Sequence, residues 1–362
     1  MKKLFFAVTS DLNHDQRMQR ICGSLAKQGY EVELLGREKR NSRPLQQQPF
    51  KQHRLKCWFN SGKLFYLEYM LRLYLYLHGR NFHALCAIDL DTVLPVYFQA
   101  KRKKVPFVYD AHEYFPEVIE VTDRKLVKSV WTAIEKFILT RTNHAYTVTQ
   151  SIADVFYQKY NTKVEVIRNM PVLRPLEPAV KYPRTILYQG VVNAGRGLEP
   201  LFQAMVGLDA RLIICGDGDV MPQLKVLAEE LQISHKVEFK GQVLPKDLLA
   251  ITRSSRVGTM LLENKGLSYY YSLANKFFDY MQAEVPQLVI DFPEYRQLND
   301  KYKVGLLTKL DVQEIREKLE QLLTDDTLYQ ELQANCTAAR QELNWQQEEQ
   351  KLISFYNRLW QV

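Results

Sequence analysis

Short apolar runs alternate with longer amphipathic segments along almost the whole chain, and four prolines within fourteen residues, Met170–Pro183, interrupt the alternation once. Proline removes a backbone donor and fixes φ, so such a stretch continues neither a helix nor a central strand. Strand–helix alternation implies parallel sheets covered by helices. The pattern therefore predicts an α/β protein of two doubly wound, Rossmann-like domains, at 1–172 and 184–344, and 362 residues suffice for both. In the first half, strands are predicted at 4–9, 31–35, 84–88, 107–109, 144–148 and 164–167. In the second, the main ones are at 185–189, 210–215, 237–239, 257–261 and 287–290. From residue 312 to 359 the pattern is nearly all helical.

Composition narrows the class. Five scattered cysteines with no C-x-x-C pair argue against a zinc site or a disulfide framework and for a reducing compartment, the cytoplasm. The apolar start Leu4–Val8 is cut short by Asp11, His14, Asp15 and Arg17, which suits a buried first strand better than a signal peptide. No apolar run approaches the ~18 residues of a membrane span. Residues 1–180 hold 28 Lys and Arg against 17 Asp and Glu, a charge of +11, whereas residues 181–362 carry −3. The first half is thus expected to meet something anionic, with nucleic acid and an anionic membrane surface as the two candidates.

In doubly wound sheets ligands bind beyond the carboxyl ends of the strands, and paired domains hold them in the cleft between. The loops after strands are therefore the informative ones. Gly190, Gly195 and Gly197 surround Arg196 just before a helix, a combination that lets backbone approach a phosphate and a guanidinium grip it. Leu212–Cys215 runs into Gly216 and Gly218, which also suit an ordinary strand-to-helix turn. At Ser272–Met281 a helix opens with Asn275 as its expected N-cap, and Lys276 and Asp279 lie three apart on one side of the first turn. The lysine can meet a phosphate at the helix N-terminus and the carboxylate can accept from a ribose diol. Neither glycine loop has the dinucleotide or P-loop spacing.

Taken in order, Gln189-Gly190, Arg196-Gly197-Leu198, Ile213–Gly218, Phe239–Val243 and Ala274–Met281 with Pro286 resemble the donor half of a retaining glycosyltransferase of family 4. Asp11–Leu25, Gly29–Val32 and Val108–Glu113 resemble that family's acceptor half. The resemblance implies the GT-B fold, with the final helix at 345–362, bearing Trp345, Tyr356 and Trp360, returning to the first domain. It implies that Arg196 takes the place of the phosphate-binding lysine and Asp279 that of the ribose-binding acid. Asn275 and Lys276 match a variant of that motif, His112 the histidine beside the donor sugar, and the loop through Val243 borders the nucleobase. The sequence departs from the family at Tyr271, where the first acid of the pair is expected, at Val191, where arginine is frequent, and at Glu284, where glycine is usual.

Breaking a sugar–diphosphate bond leaves charge on the diphosphate. Arg196, Lys276 and helix N-termini would meet that charge by fixed electrostatics, with no metal and no cofactor beyond the nucleotide-sugar co-substrate. The implied activity is transfer of a sugar from a UDP-sugar, or secondly a GDP-sugar, to a saccharide acceptor in lipid-linked or cell-surface glycan synthesis. A GT-B sugar-nucleotide epimerase and a basic nucleic-acid-binding protein are the rivals. The first calls for more cleft acids and histidines than seven scattered His supply, and the second for a reader motif that is absent. Lys63–His78, apolar nearly all round but for Glu68 and Arg72, and the amphipathic Arg124–Leu139, with Lys101–Lys104 as the charged cluster and Trp131 as apolar anchor, could rest on the inner face of an anionic plasma membrane. Packing of their apolar faces on the sheet is the more ordinary use of such segments.

Overall fold

A computed structural model describes residues 1–361, with the side chains of all but Pro245 and Lys246. Val362, the end of the segment expected at 345–362, lies outside the described residues. The chain forms two compact units, Met1–Asn169 together with the chain from Glu348 on, and Met170–Gln347.

The first unit is built on seven parallel strands: β1 (Lys3–Ala7), β2 (Glu31–Glu38), β3 (Lys51–Lys56), β4 (Ala84–Ile88), β5 (Phe107–Ala111), β6 (Ala145–Thr147) and β7 (Glu165–Val166). Their order is β3-β2-β1-β4-β5-β6-β7, so the chain starts near the middle and winds out in both directions. Phe5 and Phe6 of β1, fully buried, point to opposite faces, as a sheet covered on both sides requires. The strand β3 was not anticipated. Its sequence Lys-Gln-His-Arg-Leu-Lys carries no apolar signature because it is an edge strand, half-buried and paired only to β2. The final helix, Trp345–Arg358, contributes Tyr356 to this core, where its hydroxyl lies 3.4 Å from those of Tyr146 and from Cys86 Sγ.

The second unit holds six parallel strands: β8 (Tyr182–Gln189), β9 (Arg211–Cys215), β10 (Val237–Gly241), β11 (Ser255–Met260), β12 (Gln287–Ile290) and β13 (Gly305–Thr308), in the order β10-β9-β8-β11-β12-β13. The last strand and the helix before it, Pro293–Tyr302, were also missed; each is short, and Asn299 ties them together through the amides of Val304 and Gly305. Pro183 belongs to β8 rather than to the interruption before it. It sits at the exposed start of that strand, where a missing donor costs little. Residues 170–181 are irregular but anchored: the Pro171 carbonyl accepts from the Trp345 amide at 2.8 Å, and the Arg174 carbonyl from the Arg340 guanidinium. Both sheets match the two Rossmann-like folds expected. Among the described residues no helix is long and apolar enough to cross a membrane.

Candidate functional site

In the second unit the carboxyl ends of β8, β9 and β10 are brought together by glycine. The Gly190 amide donates to the Cys215 carbonyl at 2.9 Å and the Gly216 amide to the Gly241 carbonyl at 2.8 Å. Gly216 adopts φ +150°, and a Cβ there would lie 1.8 Å from the Gly190 oxygen. Gly218 is equally confined, since its Cβ would meet the Val192 oxygen at 2.3 Å. The result is a floor of exposed and half-buried glycine main chain that contributes no side chains of its own. Asp217 and Asp219 serve this turn: Asp217 accepts from the Gly218 amide, and the Asp219 amide donates to Asn193 Oδ1.

Three expected residues converge on this floor. Lys276, in the Asn275–Gln282 helix, places its ammonium 4.0 Å from the Tyr188 ring centroid and beside Gly190, where an added Cβ would lie 3.4 Å from Nζ. Burial and the nearby Arg196 guanidinium push its pKa down to about 7. Arg196 sits 5.2 Å from the Tyr269 ring centroid with its Nε buried and without a hydrogen-bond partner. Gly195 and Gly197 flank it at φ +85° and +66°. Asp279 accepts from the Gln189 side chain at 3.4 Å, and Gln189 in turn accepts from Thr252. A cation whose charge is disfavoured first by burial and then by a neighbouring guanidinium makes a site suited to an anion.

The expectation for Asn275 as N-cap is corrected. Ala274 occupies that position, no side chain caps the helix, and Asn275 begins the first turn, exposed. An alanine side chain carries no acceptor for the opening amides. Val243, half-buried, packs against the apolar cluster of Leu187, Ile213, Cys215 and Tyr280. The Tyr271 ring lies tilted against that of Tyr270, centroids 5.3 Å apart. Sequence reasoning passed over Glu263, whose amide donates to the Gly195 carbonyl at 3.0 Å and whose carboxylate pairs with Lys265, and over Tyr188 and Tyr269. The loop after β11 was the available signal.

His112 follows β5 in the first unit. Its amide donates to Asp89 Oδ1 at 2.9 Å, and Nδ1 lies 3.8 Å from the same carboxylate. The imidazole side chain is 43 % exposed; burial and the Arg17 guanidinium nonetheless hold its pKa below the usual range. Arg17 forms a buried bidentate pair with Asp110, both contacts 2.7 Å, which fixes the β5 end. Asp89, at φ +56°, was not anticipated from sequence; it also accepts from the Glu113 amide. Trp131, expected as a membrane anchor, is buried against the rings of Tyr66 and Phe115 and is corrected accordingly.

The family model described as "Glycosyl transferase 4-like domain" matches residues 14–170, and that described as "Glycosyl transferases group 1" matches 173–342. Between them only the chain ends and residues 171–172 go unmatched. The chain belongs to the family 4-type glycosyltransferases. No curated protein matches this glycosyltransferase in sequence. Among solved structures it is similar to sucrose-phosphate synthase from Thermosynechococcus elongatus, at 16% identity and TM-score 0.83 over 99% of each chain. It is also similar to HepE from Anabaena in complex with UDP-glucose, at 13% identity and TM-score 0.78 over 99% of this chain and 100% of that one. A third is WaaG, a glycosyltransferase of lipopolysaccharide biosynthesis, at 15% identity and TM-score 0.71 over 96% and 98%. At these identities the likeness establishes the GT-B fold. In this glycosyltransferase the glycine floor, Arg196, Lys276 and Asp279 all lie in the half matched by the group 1 model.

Proposed function

We propose that the protein is a retaining glycosyltransferase that binds a nucleoside-diphosphate sugar, UDP-sugar first and GDP-sugar second, in its second unit. The observation that carries the reading is the pairing of Arg196 with Lys276 above the Gly190–Gly216 main chain, with Asp279 one turn further along the helix. Diphosphate leaves as charge builds on it, and Arg196 and Lys276 stabilise that charge by position alone. Asp279 accepts from the ribose hydroxyls, and the Phe239–Val243 main chain borders the base. Retention needs no protein nucleophile when the acceptor attacks from the face that diphosphate vacates. His112 orients sugar or acceptor. The same two cations take the part a metal would play, so turnover is expected without one.

The acceptor in this reading is a saccharide of lipid-linked or cell-surface glycan synthesis, and the basic first unit, with Lys101–Lys104, contacts an anionic membrane surface. Support for the donor class comes from the bound UDP-glucose of HepE. Product analysis tests the reading against the epimerase alternative. Release of free nucleoside diphosphate, with the sugar transferred in its original anomeric configuration, is expected; release of an altered nucleotide sugar would overturn it.

A further inference from the structure

The first unit carries an open pocket of about 430 Å³ where β2 ends, lined by Arg37, Lys39, Arg40, Asn41 and Asn60. Three of these five are cations and none is an acid. Four other buried or half-buried cations of this unit are each matched by an acid: Arg17 by Asp110, Arg54 by Asp11, Arg72 by Glu68 and Lys128 by Glu117. Among the described residues Arg37, Lys39 and Arg40 form no ion pair. Arg37 is held in place nonetheless. It donates to the Asn60 carbonyl, its guanidinium lies 3.8 Å over the Phe65 ring, and its Nε is buried without a hydrogen-bond partner. Asn60 leads directly into the Gly62–His78 helix, whose N-cap Ser61 offers its side chain to none of the opening amides. That helix end adds its own positive potential to the pocket.

The same helix exposes a stripe of leucine. Phe65, Tyr69, Leu73 and Leu77 face the core, whereas Leu64, Leu67, Leu71 and Leu75 lie opposite and are 56–65% exposed. Spacings of three, four and four residues align them over roughly 17 Å of helix. Trp58 and Phe59, exposed by 82% and 43%, lie beside the middle of this helix. Both amides are pinned by the Glu68 carboxylate, and the exposed Trp58 ring lies 4.8 Å from the Arg72 guanidinium. At the far end Arg102 and Lys103 donate to the His78 carbonyl. An apolar strip with cations at both ends matches the cross-section of an anionic lipid surface. A second copy of the chain would fit poorly, because a two-fold contact sets this basic patch against itself.

We propose that this face takes up a phosphate-bearing lipid from an anionic bilayer, its phosphate in the Arg37–Lys39–Arg40 pocket and its hydrocarbon along the leucine stripe. The inference rests on the function proposed above and gives the acceptor a chemical class: an amphiphile with phosphate next to its tail.

The test is co-sedimentation with phosphatidylcholine vesicles, with and without phosphatidylglycerol. It uses the whole protein, Leu67→Gln/Leu71→Gln and Lys39→Gln/Arg40→Gln; all four side chains are exposed, so both variants should fold. The parent should bind only the anionic vesicles, and each variant should bind at least about tenfold more weakly, given the loss of two leucine or two cationic contacts. Unchanged binding of the leucine variant would overturn the proposal. So would an unchanged Lys39→Gln/Arg40→Gln variant, or a parent dimer in the ultracentrifuge that the leucine substitutions dissociate. Calorimetry with UDP on the same proteins separates the two readings: a parent that binds vesicles but not UDP refutes the donor site and leaves this surface standing.

Discussion

Lys276 is the side chain through which pH should act on the donor site. Burial and Arg196 lower its pKa to about 7, and a diphosphate placed beside it favours the charged form and raises that value again. Below pH 7 the free protein already carries the proton. Above it, binding must take a proton up, so affinity should fall as pH rises from 7 towards 9, by up to about tenfold per unit. Calorimetry of UDP in buffers of different ionisation enthalpy should show uptake approaching one proton near pH 8, abolished in Lys276→Met; no uptake in the parent would mean that the lysine does not meet the phosphates. Arg196, Lys276 and Asp279 were legible in the sequence because each belongs to a local pattern, a glycine-flanked arginine or a pair three apart on a helix. Glu263, Gln189 and Tyr269 were not, because only the folding of separate loops brings them to the same place. Asn275 misled because an N-cap preference is a statistical signal, and here the turn begins one residue earlier.

The elements that matter most are strand ends rather than strands. Gly216 has no room for a side chain, so Gly216→Ala should destabilise the protein by at least about 1–3 kcal/mol, lower Tm by several degrees and abolish UDP binding. Gly23, within a helix and with nothing within 4 Å of its added Cβ, is the matched control. Its alanine variant should melt no lower than the parent, since alanine favours helix by up to about 1 kcal/mol. Equal melting of the two variants would contradict the packing described for β8 and β9. Buried strands such as Ala84–Ile88 and Gln287–Ile290 could be read residue for residue, since strands covered on both faces are continuous apolar runs. The edge strand Lys51–Lys56 could not, because an edge needs no apolar residues to be paired. The Gly62–His78 helix shows a third case. Its sequence is apolar nearly all round, and only the fold tells its core face from its leucine stripe.

At the scale of the whole molecule, acid should stabilise the first unit. Burial raises Glu113 and Glu135 to about 7 and Asp91 to about 6. A carboxyl raised in the folded state adds stability that is complete below its unfolded pKa and is lost as pH rises through the folded one. Stability should therefore decline from about pH 4.5 to 7 on account of these groups, and Glu135→Gln should flatten the slope of Tm against pH while preserving acceptance from Tyr160. An identical slope in the variant would show that Glu135 is ionised throughout. If Arg196 and Lys276 meet the leaving diphosphate as proposed, transfer should survive EDTA; activity lost to chelator and restored by manganese or magnesium would assign that part to a metal. Calorimetry of UDP and GDP binding to the parent, Arg196→Ala and Asp279→Ala measures the proposed donor site most directly. A charge-assisted hydrogen bond contributes roughly 1.5–3 kcal/mol, so each substitution should weaken the preferred nucleotide at least about tenfold without lowering Tm, whereas unchanged affinity in both would contradict the assignment.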